Sequence, residues 1–219
     1  MNLKELCEKG INLLLLEEYK NALYYFEKAL EGKPRCAELY FQVGVCNLEL
    51  EQYEEAVKSY KKAIHIKPDF LRAYNGIGVV YFILSRYKNA IETLNKAILI
   101  APDYAEGYYL LGLIYTELEK YKDAIQSFKI AISHKPDNKQ TYLQLGIVYR
   151  RAKRYKKAIE SFGETIRVAP DSGEAYYNLG VIYGEIERYM EKIEALNEAI
   201  LINPYYSDAY YELGVAYAC

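Results

Sequence analysis

The residues with most capacity for chemistry in this chain are six cations crowded into one segment: Arg150, Arg151, Lys153, Arg154, Lys156 and Lys157. Side chains of one sign at this density either form a solvated helix edge or dock an acidic protein segment through charge-assisted hydrogen bonds. Nucleic acid and phospholipid are weaker readings. The chain has 28 basic against 30 acidic residues and a formal net charge of −2, which gives no broad positive field to release counterions. Tyr155, inside the run, shares its register with Tyr19, Tyr53, Tyr87, Tyr121 and Tyr189, so it belongs to a repeated framework rather than to a base-stacking platform.

Little else offers reactive chemistry. His65 and His134 are the only histidines and lack the short-spaced Cys or carboxylate partners that a metal site or acid–base pair needs. Cys7, Cys36, Cys46 and Cys219 form neither a paired metal motif nor a disulfide framework, and read as small buried or partly buried thiols. The glycines do not cluster into a loop that could cradle phosphate. The expectation is a protein that is not an enzyme and uses no cofactor or metal. The leucine run 13–16 is flanked by acidic residues, and no apolar stretch approaches the roughly 20 residues of a membrane span. A soluble, cytoplasmic chain without direct membrane insertion is expected.

The elements that position these residues are set by a period. Glycine recurs at Gly10, Gly44, Gly78, Gly112, Gly146, Gly180 and Gly214, and proline at Pro34, Pro68, Pro102, Pro136, Pro170 and Pro204, every 34 residues in both series. Counting from Leu3, the complete units are 3–36, 37–70, 71–104, 105–138, 139–172 and 173–206, with a partial repeat or capping helix at 207–219. Each unit reads as two helices. In the fourth, Tyr108, Leu111, Gly112 and Tyr115 share a face by helical spacing, and Tyr121, Ala124, Ile125, Phe128, Ala131 and Ile132 form a second stripe. Neither helix is long enough to stand alone, so each buries its stripe against a neighbour. Glycine in mid-helix costs about 1 kcal/mol of propensity, which predicts a place where another backbone comes close. Proline ends the second helix because it cannot continue the hydrogen-bond ladder.

The spaced set Tyr108, Leu111-Gly112, Tyr115, Ala124, Phe128, Ala131 and Pro136 resembles the tetratricopeptide repeat. The resemblance covers nearly the whole chain, 1–219, as a single domain. It implies an all-α, right-handed superhelical solenoid of antiparallel helix pairs, with first helices lining a concave channel and second helices covering the convex side. It also implies a scaffold that binds a protein or peptide rather than a catalyst. A subset of that family grips a terminal carboxylate through Lys, Asn and Arg on successive first helices. Here Phe41, Tyr109, Leu143 and Tyr177 stand in place of the leading Lys, and Asn178 and Arg72 are isolated matches, so that mode is not expected.

Projecting the first helices opposite their buried stripe gives candidate peptide-binding residues Leu48, Asn75, Phe82, Tyr109 and Thr116, and Gln42 is expected to orient a peptide backbone together with Asn75. Leu48 and Phe82 are divided between packing and recognition. Val45, Val79, Leu113, Ile147 and Val181, one residue after each glycine, read more as packing. The candidate patch for an acidic partner is the basic run from Arg150 to Lys157. Two departures from the period stand out. Lys192 replaces the framework alanine of Ala22, Ala56, Ala90, Ala124 and Ala158, so its stem is expected to snorkel outward. With Cys219 as a true terminus, the apolar side of Tyr210 to Tyr217 is expected to be partly uncovered, which makes self-association through that helix or the convex edge the alternative function.

Overall fold

Apolar stripes at helical spacing, punctuated every 34 residues by proline, give helices throughout. The computed structural model describes residues 1–218; Cys219, one of the four thiols above, lies outside the described residues. Among the described residues the helices are α1 (Leu3–Leu15), α2 (Tyr19–Gly32), α3 (Ala37–Glu49), α4 (Tyr53–Ile66), α5 (Leu71–Ile83), α6 (Tyr87–Ile100) and α7 (Ala105–Glu117). They continue as α8 (Tyr121–His134), α9 (Lys139–Arg151), α10 (Tyr155–Val168), α11 (Gly173–Glu185), α12 (Tyr189–Ile202) and α13 (Ser207–Tyr217). The fold is all-α, with helix pairs in tandem.

Backbone contacts divide the chain into two compact units, Met1–Leu110 and the residues from Leu111 onward, with the boundary inside α7. In the first unit each helix from α1 to α6 packs on the next, and α3 also touches α5. In the second, α8 to α13 pack in the same succession, and α9 touches α11 while α11 touches α13. Within each unit, then, some odd-numbered helices meet across adjacent repeats.

Two turns alternate. After each of the odd helices α1 to α11, one residue adopts the left-handed conformation: Glu17, Glu51, Ser85, Glu119, Lys153 and Glu187, with φ between 54° and 60°. Around Glu119 its N–H donates to the Thr116 carbonyl at 3.0 Å and the Lys120 N–H to the Tyr115 carbonyl at 2.8 Å, which closes a Schellman motif. None of the six is glycine, so each accepts a conformation that is unfavourable for an L-residue. After each even helix the residue before proline is extended, as at Lys67 (ψ 92°) and Lys135 (ψ 80°), because proline excludes its predecessor from the helical region.

The core draws on both helices of each pair, and the even helices supply its most regular part. Ala22, Phe26 and Ala29, then Ala56, Tyr60 and Ala63, then Ala124, Phe128 and Ala131 are buried. The glycine period has a different cause from the one expected. A Cβ on Gly112 would lie 2.5 Å from the Phe128 ring, one on Gly146 2.6 Å from Phe162 and one on Gly44 2.5 Å from Tyr60. At these three positions what comes closest is a ring from the following helix rather than a backbone, while Gly78 and Gly180 seat Leu94 and Leu196. The glycine is a seat for a side chain whose full burial is worth roughly 1.5–3 kcal/mol, more than the propensity lost.

Candidate functional site

The sequence candidates on α3 and α5 lie on helices that touch each other. Gln42 is half-buried and its carboxamide donates to Glu38 Oε1 at 3.2 Å. Leu48 is half-buried and packs against the core cluster that contains Tyr60 and Val80, so part of its surface is structural. Phe82 is half-buried with its ring 6.1 Å from that of Tyr87. Asn75 is half-buried, and its Oδ1 is enclosed without a hydrogen-bond partner. Tyr109 is half-buried on α7 and engaged with neighbouring groups. Thr116 departs from its projected role: it is 5% exposed, and its hydroxyl donates to the Gly112 carbonyl at 2.7 Å. Back-bonding within its own helix leaves Thr116 no donor for a partner.

Neighbours of these residues limit what the face can do. Phe41, in the register of Asn75, lies 5.3 Å from Phe70 and 5.6 Å from Tyr60 between ring centroids, and the Arg72 guanidinium sits 4.8 Å above it. Arg72 also pairs with Glu38 at 2.7 Å, while Asn178 is buried and donates to the Glu174 carbonyl at 2.8 Å. Both isolated matches to a carboxylate clamp are therefore committed elsewhere. A cavity of about 220 Å³ on this unit is lined by Cys7, Ile11, Cys36, Glu38 and Gln42 among others. Burial, with Cys36 beside it, pushes the Cys7 thiol up from its ordinary value.

The basic run of the second unit separates in space. Arg150 turns to Glu185 at 3.2 Å, leaving its Nε enclosed without a partner. Arg151, Lys153 and Arg154 instead join Lys120 and Lys122 around a cavity of about 650 Å³ that also holds Glu119 and Asp123. Lys157 lies 5.9 Å from the Tyr149 ring centroid, and Lys156 is exposed. The structure also brings together a basic set that the contiguous sequence pattern did not single out. Arg35, Lys58, Lys61, Lys62 and His65 surround a cavity of about 670 Å³ in the first unit. Lys58, Lys61, Lys62 and His65 follow helical spacing on α4, and Arg35 joins them only through the fold.

Lys192 contradicts its expectation. It is 5% exposed, and its Nζ donates to Glu212 Oε2 at 2.7 Å, tying α12 to α13 rather than snorkelling outward. Gly184 makes the room, since a Cβ there would lie 3.1 Å from Nζ.

Models of the tetratricopeptide repeat match residues 47–85, 80–119, 105–138 and 143–207. The chain belongs to the tetratricopeptide repeat family. Its members generally mediate protein–protein interactions. Comparison with curated protein sequences gives no match. Among solved structures, the chain is similar to YrrB, described as a tetratricopeptide repeat protein with an unusual peptide-binding site. That match has 26% identity and a TM-score of 0.66, and covers 85% of this chain and 96% of YrrB. It is also similar to MamA from Desulfovibrio magneticus RS-1, at 25% identity and a TM-score of 0.65, covering 78% of this chain and 96% of that one. PilF from Pseudomonas aeruginosa has a TM-score of 0.80 over 99% of this chain and 96% of its own, and at 16% identity it shows the fold alone. Among the described residues of this tetratricopeptide protein, no cluster of His, Cys, Asp and Glu could hold a metal ion, and no helix is long and apolar enough to cross a membrane.

Proposed function

We propose that this protein is a cytoplasmic scaffold whose first unit holds a helical or extended peptide against α3 and α5. Phe82 and Leu48 serve as apolar anchors, and Asn75 and Gln42 orient the peptide backbone. Tyr109 extends the face at the register of Asn75. The observation that carries the proposal is the contact of α3 with α5, which sets the half-buried side chains of Gln42, Leu48, Asn75 and Phe82 on adjoining helices. The peptide-binding site named for YrrB supports the same use of a related array. Burial of about 500 Å² of apolar surface would contribute on the order of 12 kcal/mol before association and ordering costs, which consume most of it.

A second reading is self-association through α13. A Cβ on Gly214 would meet nothing within 4 Å, whereas its counterparts each seat a side chain. Tyr210, Tyr211, Val215 and Tyr217 are exposed on the same helix. Unbiased capture followed by peptide mapping supplies the ligand, and calorimetry with Phe82→Glu and Leu48→Glu tests the groove. Loss of binding is expected in both, with little change in the melting curve of Phe82→Glu and some loss of stability in Leu48→Glu, whose side chain packs on the core. Wild-type affinity in both variants would end the groove assignment and move attention to the edge of Arg151, Lys153 and Arg154. Light scattering that shows a monomer at all concentrations would end the second reading.

A further inference from the structure

The repeat framework is constant, so a side chain that departs from its counterparts 34 residues away has a local reason to do so. Several such departures converge on one pocket. Pro34 is followed by Arg35, whereas Pro68, Pro102, Pro136 and Pro170 are each followed by aspartate. Lys58 stands where later repeats carry Glu92, Gln126, Glu160 and Glu194, and Lys61 where three of them carry Asn95, Gly163 and Asn197. Lys58, Lys61, Lys62 and His65 share one face of α4 by helical spacing, and Arg35 approaches that face from the turn before α3. Together with Pro34, Tyr40, Val57 and Ile66 they line the cavity of about 670 Å³.

The cations are poorly neutralised. Lys58 pairs with Glu55 at 3.3 Å, and Lys62 lies 5.0 Å from the centroid of the Tyr40 ring. Among the described residues no carboxylate pairs with Arg35, Lys61 or Lys62, and the one acid on the rim, Glu54, is drawn 3.8 Å from Arg86. A solvated face needs neither an apolar floor nor a break with the repeat's own charge pattern.

We propose that this pocket docks an acidic segment of a partner protein, setting an aromatic or aliphatic side chain over Tyr40, Val57 and Ile66 while carboxylates meet Arg35, Lys61 and Lys62. The size suits a few side chains, since ligand cavities run from about 300 to 1,000 Å³. A nucleic acid or a lipid surface fits less well. The chain as a whole has more acidic than basic residues, so an extended polyanion leaving this short rim meets repulsion. The site lies on α4, apart from the α3–α5 face proposed for the peptide, so the two stand or fall separately.

The test uses a fluorescent peptide with Asp and Glu on either side of a Phe-Leu pair, titrated by anisotropy at two salt concentrations. R35D/K61N installs residues that other repeats already carry, so its melting curve should match the wild type. The expected result is salt-sensitive binding to the wild type that weakens at least about tenfold in R35D/K61N and in a peptide with Ala-Ala in place of Phe-Leu. Lys58→Glu, which likewise restores a residue found in other repeats, gives a second measure of the same loss, and Phe82→Glu should leave this binding intact. No binding to the wild type, or equal binding to R35D/K61N, overturns the proposal. So does an oligonucleotide or a phosphatidylserine vesicle that binds through the same residues when the peptide does not.

Discussion

Removing either partner of the Lys192–Glu212 pair should have unequal effects. Lys192 is 5% exposed and lies in a space that a framework alanine and the missing side chain of Gly184 would otherwise define. Glu212 is more accessible, its side chain 26% exposed against 6% for that of Lys192. Lys192→Ala therefore leaves a carboxylate that water reaches and returns the framework residue to α12. Glu212→Ala leaves an ammonium enclosed without an acid. Breaking a buried pair by deleting one partner costs about 3–5 kcal/mol when the remaining charge cannot hydrate. Partial escape of the flexible lysine stem lowers this to roughly 2–4 kcal/mol for Glu212→Ala, while Lys192→Ala should cost under about 1 kcal/mol. The double variant should resemble Lys192→Ala, giving a coupling of about 2–4 kcal/mol in magnitude. Urea melts followed by circular dichroism read the total. Hydrogen exchange over α12 and α13 locates the effect, because repeat arrays open locally. Glu212→Ala no more destabilising than Lys192→Ala would refute the assignment of Lys192 as the trapped charge.

Other substitutions probe the framework. Gly112→Ala places a Cβ 2.5 Å from the Phe128 ring and should destabilise by about 1–3 kcal/mol through overpacking. Gly163→Ala meets nothing within 4 Å and should gain up to about 1 kcal/mol of helix propensity; urea midpoints distinguish the two signs. At Glu119, with φ of 56°, replacement by glycine should be neutral or stabilising by up to about 1 kcal/mol, while valine should cost about 1–2 kcal/mol in the same melts. Burial pushes Tyr104 and Tyr206 up to about 12, as it does the Cys46 thiol. The unfolded chain releases these protons first, cysteine near 9 and tyrosine near 10. The native state then holds more protons, so stability should fall between about pH 9 and pH 12, and Tyr104→Phe should reduce the slope of urea midpoint against pH.

The helices were legible because their determinants are local. Proline ends α8 through the geometry of its own ring, and the buried stripe of Ala124, Phe128 and Ala131 follows from spacing alone. The cause of the glycine period was not legible, since nothing in the sequence distinguishes an approaching backbone from the ring of Phe128 seated on Gly112. Accessibility of the site was harder still, because it depends on which neighbour covers a position. Leu48, Phe82 and Thr116 share one register, yet Leu48 leans on the core, Phe82 faces Tyr87 and Thr116 bonds its own helix. Asn75 and Phe41 also share a register, and Phe41 is held between Tyr60, Phe70 and Arg72 while the Asn75 oxygen has no partner.

Register therefore tells where a side chain starts, and the surrounding repeat decides whether it reaches solvent. The same logic separates the two basic regions. Contiguity in sequence drew attention to Arg150 through Lys157, but the fold disperses that run and uses Arg150 in an ion pair with Glu185. Lys58, Lys61, Lys62 and His65 are spaced along α4, and the fold brings Arg35 to them around one cavity. In a repeat protein the packing needs of a position are nearly the same in every unit. The residues that differ from their counterparts without serving the core are thus those free to answer to a partner. Lys192 marks the limit of that rule: it differs from its counterparts too, but the compensating Gly184 and Glu212 show that its departure is absorbed inside the array. A departure with an internal partner is structural, and one that leaves Arg35 and Lys61 without a carboxylate points outward.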